Sequence, residues 1–100
     1  MIVVEGSAQI PAEAWSDAIA AMQSMIVASR AEAGCIEYAY SRDILDPNML
    51  RIIERWRDLD ALKALFAEPH MAVFRAVLAK VAPRNLEVRM YEAEPQPLPL

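Results

Sequence analysis

Apolar and polar residues repeat with two different periods along the chain, and the switches between them mark its elements. Over residues 2–10, Ile2, Val4, Ala8 and Ile10 fall on one side and Glu5, Ser7 and Gln9 on the other. That is the two-residue repeat of a half-buried strand. Gly6 lies on the apolar side, where a missing side chain marks a bulge or a close approach. Pro11 ends the strand, and about 12–32 reads as a helix in which Trp15, Ile19, Met22 and Ile26 keep i, i+4, i+7, i+11 spacing. This Trp and Met stripe could face a ligand, but at such spacing it fits core packing better. Gly34 stands where a C-terminal cap is wanted.

Residues 35–42 alternate again, with Ile36, Tyr38 and Tyr40 opposite Glu37, Ala39 and Ser41. Asp46-Pro47-Asn48 is a turn sequence, so 35–42 and about 49–57 predict an antiparallel hairpin. Asp58 suits the N-cap of a helix over 59–67 whose Leu62, Leu65 and Phe66 point inward. Pro69 suits the first position of a helix over 69–81, with Met71, Phe74, Leu78 and Val81 as its apolar face. After Pro83, a strand over about 85–92 puts Leu86, Val88 and Met90 on one side. The order is β-α-β-β-α-β with the second helical segment broken in two. This predicts an α+β, ferredoxin-like domain over 1–92, an antiparallel sheet with helices on one face. The Pro-rich tail, 93–100, cannot be helical.

Composition sharpens this in two ways. The 100 residues suit one domain, and 56% of them are apolar, more than an average soluble domain carries. The excess predicts a second buried surface, either a subunit interface or an apolar ligand cavity. The net charge of −4 comes from interspersed charges with no basic cluster, which argues against nucleic acid as a partner. No apolar run reaches membrane-span length, and MIVVEGSAQIP lacks the basic start of a signal peptide, so a cytoplasmic protein is expected.

Strand parity assigns Glu5, Glu37 and Glu87 with Arg51, Arg55 and Arg89 to the sheet face away from the helices. They suit solvated pairs or a partly wet dimer interface equally, and Val3, Ala39 and Ile53 on the same face tilt toward the interface. On the helix side one residue breaks the apolar rule. Glu54 lies between Ile52 and Trp56, where a carboxylate costs several kcal/mol unless paired or kept neutral. It is either a structural acid satisfied by a neighbouring side chain or a pocket residue. His70, the only histidine, is either a surface residue at a helix start or the best proton-transfer group in the chain. Cys35, the only cysteine, has neighbours that would not activate it and reads as a structural thiol. One Cys and one His supply a metal site poorly, and none is expected.

The runs Gly34-Cys35-Ile36-Glu37-Tyr38, Glu54-Arg55-Trp56, Ala61-Leu62 and Pro69-His70-Met71 with Phe74 resemble the antibiotic biosynthesis monooxygenase family, most of all its small stand-alone quinol-monooxygenase-like members. The resemblance covers about residues 1–92. It implies a subunit that dimerises through its sheet into an α+β barrel, and a pocket between sheet and helices. It also implies oxidation of a small phenolic or quinol substrate by dioxygen without metal or flavin. The implied site has His70, Glu54 and Trp56 as catalytic residues, with Tyr38, Tyr40, Phe74 and Met71 against the substrate. Two departures stand out. Leu65 occupies a position where many relatives carry a second histidine. The haem-degrading branch's Asn, Trp and His correspond here to Gly6 or Ser7, Leu65 and Arg75, which disfavours haem. A non-redox member, either a small-molecule isomerase or a ligand-binding or stress-response domain, is the alternative.

Overall fold

The computed structural model describes residues 1–100. Strand β1 (Ile2–Gln9) leads through a 3-10 turn (Ala12–Ala14) into helix α1 (Trp15–Arg30). Strands β2 (Cys35–Arg42) and β3 (Met49–Trp56) follow, then helices α2 (Leu59–Phe66) and α3 (Pro69–Val81), then strand β4 (Arg84–Glu92). The sheet order is β2-β3-β1-β4 with every pair antiparallel, the ferredoxin-like arrangement that the periodicity predicts. Alternation fixes which side chains lie under the helices: Ile2, Val4 and Ala8 from β1, Leu50, Glu54 and Trp56 from β3, and Tyr38 from β2 are all buried there.

Local chemistry explains most boundaries. Pro11 lacks a donor, and its carbonyl accepts from Ala14 N at 2.9 Å, so the chain enters α1 through a 3-10 turn instead of starting the helix at residue 12. Asp58 caps α2 by accepting from Ala61 N at 2.9 Å, and Pro69 opens α3. The turn between β2 and β3 is tied by Asp43, whose Oδ1 accepts from Leu45 N and Asp46 N and whose Oδ2 pairs with Arg51 at 3.0 Å.

Several details depart from the pattern. The buried stripe of α1 is Trp15, Ala18, Met22, Met25 and Ser29, rotated away from Ile19 and Ile26. The two isoleucines are left over the β2 edge, beside Tyr40, Ser41 and Arg42. Phe66 is half exposed, because α2 buries Ala61, Leu62 and Leu65 instead. Ile36 also faces outward: Cys35 pairs with Trp56 and Glu37 with Arg55, which makes Ile36 the extra residue of a bulge. Gly34 is not a left-handed cap. It is needed because a Cβ there would collide with that of Ala61, so its absence lets the start of α2 sit on the α1–β2 turn. The left-handed residue at a helix end is Ala82, after α3, with φ 52° and ψ 62°. Finally, β4 is exposed on both faces, since no helix packs closely over it; Leu86, Val88 and Met90 are therefore not covered.

Candidate functional site

The β2–β3 pairing sets Tyr38 directly beside Glu54, both pointing into the helix layer. Glu54 is 8% exposed, and its Oε1 accepts from Trp56 Nε1 at 2.9 Å, two residues along the same strand face. Trp56 is fully buried. Burial raises the Glu54 carboxyl above its ordinary range, and the indole donor pulls it partly back. Tyr38 and Tyr40, also two apart on one face, share a hydrogen bond of 2.5 Å between hydroxyls. Burial makes both phenols harder to ionise. Tyr38 meets Trp56 edge-on at 6.3 Å and Tyr40 stacks on Phe74 at 5.9 Å, so four rings run continuously from β3 through β2 to α3.

His70 stands at the start of α3, and its partner is not Glu54. Its Nε2 lies 3.4 Å from Oε2 of Glu32, just past the end of α1, with both side chains mostly buried. The atoms are close enough to pair but not aligned for a hydrogen bond, and neither has another partner. Burial raises the Glu32 carboxyl, His70 opposes the rise, and Glu68 adds to it. On its other side His70 borders an apolar cleft of about 180 Å³ between α1 and α3, walled by Met25, Val73, Phe74 and Val77. An imidazole with a carboxylate behind it and an apolar space before it is a competent acceptor for a substrate proton.

A family model described as antibiotic biosynthesis monooxygenase (ABM) matches residues 1–77. The chain belongs to the ABM family. An uncharacterised protein of Synechocystis is 32% identical to it over 98 residues, 97% of this chain and 67% of its own length. A structure from Deinococcus radiodurans, provisionally named an antibiotic biosynthesis monooxygenase, superposes with a TM-score of 0.90 at 25% identity over 100% of this chain and 99% of its own. One from Mycobacterium tuberculosis gives a TM-score of 0.85 at 25% identity, covering 95% and 96% of the two chains.

All seven residues singled out from the sequence fall inside the ABM match, whereas β4 lies beyond it. The structure groups them as two sets joined by rings. Glu54, Trp56 and Tyr38 form a buried polar and aromatic cluster; His70 and Phe74 border the cleft, and Tyr40 links the sets. Met71 is buried in the core and does not border this cleft. Glu32 was not legible as a site residue, because nothing periodic ties it to His70; its one signal is an acid placed between a helix end and Gly34. Ser29, fully buried against Tyr38, was hidden for the same reason. The Cys35 thiol is pushed up by burial and by the Glu32 and Glu54 carboxyls, in keeping with a structural role. No group of three His, Cys, Asp or Glu side chains converges as a metal site, and no helix is long and apolar enough to cross a membrane.

Proposed function

We propose that this ABM-family protein is a monooxygenase that oxidises a small phenol or quinol with dioxygen, the substrate itself supplying the electrons. The observation that carries the reading is the Glu32-backed His70 lining an apolar cleft beside Phe74. His70 takes the phenolic proton, leaving an electron-rich phenolate. One electron passes to oxygen, the resulting pair joins at a ring carbon, and loss of water leaves a quinone. Phenol plus O₂ gives quinone plus H₂O, with one oxygen atom kept in the ring product and the other released as water. The protein contributes a dry cavity, orientation and a proton acceptor. Glu32 is a positioning residue, Phe74 packs on the ring, and the Glu54–Trp56 pair with Tyr38 and Tyr40 holds the wall behind it. About 180 Å³ is below the usual size of drug-sized ligand pockets, so a single-ring substrate fits best.

Oxygen uptake with a panel of monocyclic phenols and hydroquinones, with ¹⁸O₂ incorporation into the product, tests the reading. Replacing a general base typically costs ~10²–10⁴-fold, so His70→Ala should lower turnover by about that factor. Undiminished turnover in a folded His70→Ala protein would remove it from the mechanism. Binding of the panel without oxygen uptake would instead favour an isomerase or ligand-binding role, since the same pair can shuttle a proton. We further propose that a second copy covers the open sheet face. In support, Val3, Ala39 and Ile53 are only partly covered there, among the Arg55–Glu37 and Arg89–Glu5 pairs.

A further inference from the structure

A second cleft lies across the Tyr40–Phe74 stack from His70. It occupies about 220 Å³ between α1 and the β2–β3 edge, and its apolar walls are Trp15, Ile19, Met22, Ile26 and Leu50. The two isoleucines that the rotation of α1 leaves off the core stripe form one side of it. Tyr40 forms part of its inner wall, and the rim is Gln23, Ser41 and Arg42.

We propose that this cleft is a binding site for a small apolar carboxylate, separate from the His70 cleft. Arg42 is the only charged residue lining it, and it is cationic in a chain whose net charge is −4. The guanidinium is held in place twice: its Nε donates to Pro47 O at 2.8 Å, and its centre lies 4.0 Å over the Trp15 ring. Trp15 is itself fixed, its Nε1 donating to Asn48 Oδ1 at 3.2 Å. Neither terminal amino group of Arg42 has a protein acceptor, and no carboxylate lines the cleft to supply one. A fixed cationic fork at the rim of an apolar slot matches a ligand with an apolar body and a carboxylate at one end. A cation would meet Arg42 without a counter-charge, and a neutral ligand would leave the fork unused. The volume limits the body to a single ring or a short chain.

Isothermal titration of the full chain with sodium benzoate tests this independently of turnover. Benzoate should bind at one saturable site, with benzyl alcohol and benzylamine each weaker by about tenfold or more. In ¹⁵N-labelled protein it should move the Trp15 indole resonance, identified by its persistence in Trp56→Phe, and leave that of Trp56 in place. Arg42→Gln should weaken binding by about tenfold or more. Ile19→Trp, which fills the slot while keeping the arginine, should abolish it; circular dichroism establishes that both variants fold. Equal affinity for benzoate and benzyl alcohol would overturn the proposal. So would binding that survives Ile19→Trp, or that is lost in His70→Ala but kept in Arg42→Gln.

Discussion

Glu54 shows how one side chain answers two questions at once. It breaks the apolar face of β3, and the structure satisfies it with Trp56 on the same strand, not with His70. Because its folded-state pKa is raised above the unfolded value, ionising it opposes folding. The penalty is absent below the ordinary carboxyl range and grows as pH rises through the unfolded and then the folded pKa. Glu54→Gln keeps an oxygen to accept from Trp56 but never ionises. Its stability relative to the parent should therefore increase between about pH 4 and about pH 8, followed by urea denaturation. Trp56→Phe removes the donor that favours the carboxylate, so its destabilisation should grow over the same range. A pH-independent difference in both variants would mean that Glu54 is not held in the buried pair. Parity revealed the misplaced acid, but its partner depended on rotamers that no spacing encodes.

Element boundaries were largely legible because they follow local chemistry: Asp58 and Pro69 begin helices where they stand, and Asp46-Pro47-Asn48 turns the hairpin. What local pattern missed was decided by neighbours. The α1 face rotated because α3 and β2 compete for it, Ile36 turned outward at a bulge, and Gly34 serves close packing against Ala61. The pairing of Glu32 with His70 joins the ends of two helices far apart in sequence, which a single chain read in order does not display. Ala82 is the one element end whose residue works against its conformation. Left-handed backbone is disfavoured for alanine by roughly 1–2 kcal/mol. Ala82→Gly should relieve this, offset partly by unfolded-chain entropy, for a net gain of about 0.5–1 kcal/mol. A lower urea midpoint in that variant would show that the cap is not adopted.

At the scale of the molecule, 21 of 100 residues are buried although 56% are apolar, so the surplus sits on the surface. Leu86, Val88, Met90 and Tyr91 of β4 are the part of it that lies together on one strand. The radius of gyration, 14.1 Å, exceeds the ~13 Å of a compact domain of this size, and the body is only 20 Å thick along its short axis. One helix layer on one sheet, with the other sheet face open, accounts for the thinness. Light scattering at micromolar concentration should therefore report about twice the 11.2 kDa chain mass. The chain mass alone would remove the proposal that a second copy covers the open face. Composition pointed to a second buried surface, whereas the exposure of β4 could be seen only once the helices were found to stop short of that strand.

The placement of the two tryptophans makes the molecule its own optical instrument. Trp56 lies sealed in the sheet core against a carboxyl group, while Trp15 sits at the start of α1 under a guanidinium and beside an apolar slot. Their emission therefore samples two unlike surroundings within one small domain. Single-tryptophan variants can follow the two regions separately during denaturation, one through the dry sheet core and the other through the end of a helix. If the first turn of α1 loosens before the core does, the emission of Trp15 will move toward that of indole in water while that of Trp56 is still unchanged.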